Sequence, residues 1–190
     1  MGAAAWLLPI GTKEILTGKG YEMWAGGLSF YDRFLFGPHA EGGILKGKIA
    51  AVCRSAKKGF PKQDILSGFF EKGQALFGDA HAGTEKEVSI LLKEKVDQLS
   101  RKTGLTFPAG AFAENLLVEG LDQDKLIPGQ CLKVGKVILQ IQQVGKEAGT
   151  QHSYQYQGYS LLPHFGIFAK VIQSGMVKNG AEVELLNSAP

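Results

Sequence analysis

The chain has 190 residues, 44% hydrophobic and 21% charged, which supplies apolar material for one sizeable core and excludes a disordered or low-complexity protein. Its formal net charge of +3 comes with no dense Lys/Arg block and no basic stripe interleaved with aromatics, so a dedicated nucleic-acid binder is excluded and only a mild attraction for anions remains. The two cysteines, Cys53 and Cys131, lie in apolar strand-like runs without CxxC or Cys/His spacing; they read as buried free thiols, with no disulfide scaffold and no metal ligand set.

In chain order, the opening Met1–Ile10 is apolar, but it has no basic segment before it and Pro9 interrupts it well short of a membrane span. A cytoplasmic protein with no membrane contact is the expectation. Residues 1–44 are rich in glycine and aromatics, and Trp24-Ala25-Gly26-Gly27 and Gly37-Pro38-His39-Ala40-Glu41-Gly42-Gly43 break any long periodic element. They read as an N-terminal extension whose structure the pattern leaves open. Gly18-Lys19-Gly20 within it lacks the spacing and the following helix of a phosphate loop.

The domain proper is placed at residues 45–190. Lys48–Arg54 is a run of strand formers ending in the Ser55–Gly59 turn. Thr84-Glu85-Lys86-Glu87 fits a helix-capping box, and Val88, Leu91, Leu92, Val96 and Leu99 follow at helical spacing, with Arg101, Lys102 and Gly104 marking the end. The pattern predicts one helix from the capping box to about Lys102. Asn115–Val118 and Val137–Val144 read as strands, the second alternating apolar with polar from Leu139 onward. Gly166–Ile172, Gly175–Val177 and Ala181–Leu185 repeat the strand-turn rhythm, with Lys178-Asn179-Gly180 as a hairpin signal. Many short strands around one clear helix predict an α+β, mainly β domain built as a barrel with a few helices.

Several ordered motifs resemble the MOSC domain family, named for the C-terminal domain of molybdenum cofactor sulfurases, in its small stand-alone bacterial and archaeal form. They are Gly78-Asp79-Ala80-His81-Ala82-Gly83, Phe112-Ala113-Glu114-Asn115-Leu116, Leu126-Ile127-Pro128-Gly129 with Val134-Gly135, Gly145-Lys146-Glu147, and Pro163-His164-Phe165-Gly166-Ile167-Phe168-Ala169-Lys170-Val171. The resemblance spans roughly residues 45 to 187. It implies a MOSC-type β-barrel that handles molybdenum cofactor (molybdopterin) or carries sulfur, together with a family-level association with pyridoxal phosphate. Implied partners are molybdenum enzymes or cofactor-biosynthesis proteins; a homodimer is left open.

Two departures qualify what the resemblance implies. Small members of the family usually place a cysteine after the Gly-Lys-Glu segment, whereas this chain has Ala148, with His152 and Ser160 where further family cysteines occur. Alanine offers neither a nucleophilic thiolate nor a soft metal ligand, so cysteine-dependent sulfur transfer is not expected there. The family's frequent His-Arg-Gln before the helix is replaced by Glu85-Lys86-Glu87, a more acidic entrance.

The candidate cofactor-binding residues are Asp79, His81, Glu114, Asn115, Lys146 and Glu147, and the candidate acid/base groups are His81 and His152. Asp79 and His81 flank a Gly-rich turn and serve either a ligand or the turn's own amides. Glu114 and Asn115 precede an apolar strand, where burying a carboxylate without purpose is costly. Lys146 is the candidate contact for an oxyanion, against the alternative of a solvated Lys-Glu pair. What the resemblance implies for these residues is a protein that binds molybdenum cofactor or a related pterin or sulfur ligand, with a role in binding, delivery or sulfur-related metabolism. The alternatives are a molybdenum-dependent reductase of a small N-oxygenated substrate, and an interaction module with a degenerate site that docks through the aromatics of residues 1–44.

Overall fold

A computed structural model describes residues 45–83, 88–145 and 154–186. The extension 1–44, the capping-box residues 84–87 and the segment carrying Lys146, Glu147, Ala148 and His152 lie outside the described residues. In chain order the elements are β1 (Lys46–Arg54), β2 (Gln63–Asp64), β3 (Ser67–Glu71), β4 (Ala75–Leu76), β5 (Val88–Leu92), α1 (Lys93–Thr103) and β6 (Leu116–Glu119). After a 3-10 turn at Gln123–Lys125 come β7 (Cys131–Val134), β8 (Val137–Val144), the single turn α2 (Leu162–Phe165), β9 (Ile167–Gln173), β10 (Gly175–Lys178) and β11 (Glu182–Leu186).

Seven strands form a closed barrel in the order β11-β7-β8-β9-β5-β6-β1, with β1 returning to pair with β11 through Lys46↔Glu184, Gly47↔Val183 and Lys48↔Glu182. The mainly β barrel expected from the strand-turn rhythm is therefore the fold. All the neighbours are antiparallel except β5 and β6, which run parallel in the register Ile90↔Leu116. Parallel neighbours need a crossover, and α1 provides it. The short β2 extends the far end of β1, and β10, β3 and β4 form a separate three-stranded antiparallel sheet. No helix among the described residues is long and apolar enough to cross a membrane.

The helix expected to begin at the capping box is corrected. Val88–Leu92 is a strand whose five residues are all buried, and the helix starts at Lys93. The apolar positions 88, 91 and 92 satisfy a helical spacing, but a strand packed on both faces shows the same apolar run, and the partners on either side decide between them. β5 sits between β9 and β6, so both of its faces bury apolar side chains. The helix ends as expected, with Arg101 and Lys102 in its last turn and Gly104 in the left-handed conformation, its N–H bonded to the Ser100 carbonyl at 2.8 Å.

Two apolar cores result. The larger fills the barrel, with Ile49, Val52, Ile90, Leu116, Leu139, Ile141 and Ile167 among its fully buried members, and it extends under the small sheet through Phe70, Leu76 and Val177. The second lies outside the wall, where Cys53, Leu91 and Leu117 meet Val96 of α1, Phe107, Phe112 and Leu162. Phe107 stacks at tilted and edge-on angles with Phe112, Tyr156 and Tyr159, at centroid separations of 5.2, 6.3 and 5.8 Å. This aromatic layer covers the loop 105–115, which leads into β6.

Candidate functional site

Asp79 sits in a Gly-bounded turn, where a short carboxylate side chain accepts bonds from nearby amides more readily than it extends into solvent. Its Oδ1 accepts the backbone N–H of His81 at 3.1 Å, and its Oδ2 accepts that of Ser55 at 3.3 Å, at the end of β1. A backbone bond from the Ala80 N–H to the Ser55 carbonyl, 2.9 Å, runs beside these. The turn 78–83 is thereby fastened to the segment that follows β1.

A residue that the sequence did not single out completes this arrangement. The Lys62 ammonium lies 2.9 Å from Asp79 Oδ2 and 3.1 Å from Oδ1, and the two side chains are 2% and 0% exposed. Burial pushes the Lys62 ammonium down, against the attraction of Asp79 and Glu114. Burial would raise the Asp79 carboxyl, but the hydrogen bond from His81 and the Lys62 charge outweigh it and hold the group well below the usual carboxylate range. His81 places Nδ1 3.4 Å from Asp79 Oδ1, with a side chain 41% exposed. Of the two candidate acid/base groups, His81 therefore stands at the surface beside a buried charge pair, and His152 lies outside the described residues.

Lys62 also joins this turn to the loop that carries Glu114. Its backbone N–H bonds to the Gly110 carbonyl at 2.8 Å, and the Gly110 N–H donates to Glu114 Oε1 at 2.6 Å. The Phe112 N–H donates to the other oxygen, Oε2, at 3.1 Å. Glu114 thus closes the loop on itself from a nearly fully buried position. Burial pushes its carboxyl up to about 7, although the amides of its own residue, Gly110 and Phe112 and the charge of Lys62 favour the ionised form. The backbone allows the approach only because residue 110 is glycine. Its φ is +82°, and an added Cβ would fall 2.1 Å from the Lys62 carbonyl oxygen.

Asn115 is tied into the wall. Its Oδ1 accepts the Ser89 N–H at 3.1 Å and the Ser89 hydroxyl at 3.0 Å, and its Nδ2 donates to the Cys53 carbonyl at 3.3 Å. Its backbone N–H meets the Ser89 carbonyl and its own carbonyl accepts the Cys53 N–H, both at 2.7 Å. In this arrangement Asn115 links β1, β5 and β6 and faces the protein, not a cleft. The structure therefore brings Asp79, His81 and Glu114 into one hydrogen-bonded assembly through Lys62, and sets Asn115 behind it as a strut.

The surface in front of the pair is basic. Segments 54–62 and 77–83 carry Arg54, Lys57, Lys58 and Lys62 against one carboxylate, Asp79, and Lys62 matches that carboxylate. Arg54, Lys57 and Lys58 are exposed, and none has a carboxylate partner among the described residues. Arg54 Nη1 donates to the Phe77 carbonyl at 3.2 Å, which places the guanidinium at the mouth of the turn 78–83. This donor set fits the anionic part of a ligand. It does not fit direct metal ligation: no three or more His, Cys, Asp or Glu among the described residues are gathered to hold a metal ion. The Cys53 thiol is fully buried, and burial followed by the Glu114 and Asp64 charges pushes it far up, so it is no soft thiolate ligand.

Residues 78–146 match the family model described as MOSC domain. The fold is similar to the solved YuaD protein of Bacillus subtilis, with a TM-score of 0.61 at 17% identity, over 75% of this chain and 97% of that one. It is similar also to YiiM from Geobacillus stearothermophilus, with a TM-score of 0.59 at 20% identity over 74% and 75%, and to YiiM from Escherichia coli, with 0.54 at 19% over 75% and 71%. No curated protein matches the chain in sequence.

Proposed function

We propose, on the premise that the chain carries a MOSC domain, that it binds an anionic pterin-type ligand, molybdenum cofactor or a close relative, on the face formed by the turn 78–83 and the segment 54–58. The observation that carries this reading is the basic surface of Arg54, Lys57 and Lys58, held in place by the buried Lys62–Asp79 pair. A pterin phosphate is anionic at neutral pH, and exposed guanidinium and ammonium groups without carboxylate partners among the described residues suit it. His81 stands at the same mouth as a hydrogen-bonding group. Bound molybdenum cofactor would bring redox and sulfur-transfer chemistry that the side chains of this chain do not supply. The role of the protein is then to hold and deliver the ligand, without cysteine catalysis: the two thiols are buried, and position 148 is alanine.

The test is elemental analysis with pterin fluorescence on protein purified from molybdate-fed cells, comparing wild type with an Arg54→Ala, Lys57→Ala, Lys58→Ala variant. Molybdenum and pterin in the wild type that fall at least tenfold in the variant support the reading. Equal loading of both proteins moves the site away from the basic segment. Absence of both from the wild type overturns the reading.

A further inference from the structure

The small sheet presents an apolar face that the barrel does not use. Along β3 the side chains alternate, with Gly68 and Phe70 buried and Ser67, Phe69 and Glu71 exposed; along β10 Val177 is buried while Met176 and Lys178 are exposed. Phe69 and Met176 are register partners, so the two outward apolar side chains stand side by side. Phe77, just past β4, joins this row through its N–H bond to the Phe69 carbonyl at 2.9 Å. These three side chains are 43%, 58% and 68% exposed.

The charges around them follow a rule set by the pairing. β3 and β10 are antiparallel, so two residues onward from Phe69 and two onward from Met176 lead to opposite ends of the face. Glu71 stands at one end and Lys178 at the other, and neither has an ion-pair partner among the described residues. A two-fold axis lying in the plane of contact, perpendicular to the strands and over Phe69 and Met176, exchanges the two ends. It lays each Glu71 over the end of the partner that carries Lys178 and packs the apolar rows together. This is the arrangement of a self-complementary, isologous contact.

We infer that the outer face of β3 and β10 is the contact between two copies of this chain, with Phe69, Met176 and Phe77 at its centre and Glu71 opposite the partner's Lys178 at each end. Sheets packed face to face in this way lie about 10 Å apart with their strands nearly aligned. The face adjoins the proposed ligand site through Phe77, whose carbonyl accepts Arg54 Nη1 at 3.2 Å, but the residues that decide the inference, Phe69, Glu71, Met176 and Lys178, lie outside the turn 78–83 and the segment 54–58.

Sedimentation equilibrium on the full chain tests it, with thermal melts confirming that each variant is folded. The wild type is expected to be a dimer, and Phe69→Lys with Met176→Lys is expected to be a folded monomer. Glu71→Lys alone and Lys178→Glu alone should each weaken association at least tenfold, because they place like charges across the axis. Combining these two changes should restore association to within a few-fold of wild type, a recovery that no other contact surface and no other partner predicts. A monomeric wild type at high micromolar concentration overturns the inference, as does a dimer indifferent to these four changes.

Discussion

Lys62 reaches Asp79 with its ammonium nitrogen 2.9 Å from Oδ2 and 3.1 Å from Oδ1, and water touches neither side chain to any extent. The pair joins two loops, so removing one partner strands a charge in the interior. Lys62→Met is expected to destabilise the protein by about 3–5 kcal/mol, whereas an apolar replacement of both residues should recover much of that loss. Urea denaturation of the single and double variants measures the difference. Equal stability of Lys62→Met and wild type would show that the pair contributes nothing.

Glu114 gives the protein a pH dependence opposite in sign to that of Asp79. Its folded carboxyl is raised from 4.5 to about 7, so between those values the folded state holds a proton that the unfolded state has lost. That contribution is complete below about pH 4.5 and disappears as pH rises through about 7, changing by about 1.4 kcal/mol for each pH unit between the two values. Asp79 is depressed instead, so its contribution is present above its unfolded value near pH 3.8 and is lost as pH falls. Stability of the wild type relative to Glu114→Gln should therefore fall from pH 5 to pH 8. Parallel denaturation midpoints for the two proteins across that range would contradict the raised value.

Gly110→Ala and Gly104→Ala separate steric contact from backbone strain. Both residues have positive φ, +82° and +72°, but a Cβ on Gly110 meets the Lys62 backbone whereas one on Gly104 meets nothing within 4 Å. The Gly104 change is expected to cost about 1 kcal/mol, the penalty for a left-handed residue with a side chain. The Gly110 change should cost at least about 2 kcal/mol more, since the loop must move off Lys62. Paired thermal melts decide this, and equal losses would mean that the loop accommodates the methyl group.

Both cysteines should be silent towards thiol reagents in the folded protein. Cys53 and Cys131 are free and buried, and burial raises both thiols. Native protein is expected to release no chromophore from a disulfide indicator over minutes, and unfolding in guanidinium should expose both groups. Rapid native reaction of one thiol would reopen sulfur chemistry for this chain.

Much of the fold was legible because strands on a half-buried surface carry their own period. Val137–Val144 is a strand with the bounds expected from its alternation, and the C-terminal strands fall within a residue or two of their expected places. Val88–Leu92 defeated the reading because a strand buried on both faces has no alternation to show, and its apolar positions blend into the true helix that follows. The candidate site was legible at the two carboxylates, since a charge set before an apolar strand or inside a Gly-bounded turn needs a reason. Lys62 was not: a lysine after Phe60-Pro61 reads as solvated, and only the folded chain brings it to Asp79, 17 residues on. Ser89 was hidden in the same way, its hydroxyl and amide both turned to an asparagine 26 residues on.

The pairing of β1 with β11 has a consequence during synthesis. Of the seven barrel strands, the one that shuts the barrel is the last to be made, and its register partners at Lys46–Lys48 were made far earlier, so closure waits on a long loop. Until Glu182–Leu186 emerges, β1 and β7 each hold an open edge of unpaired amides and carbonyls. A nascent chain stalled just short of that strand would be complete in most of its core and still offer two edges for pairing with its neighbours on the same message.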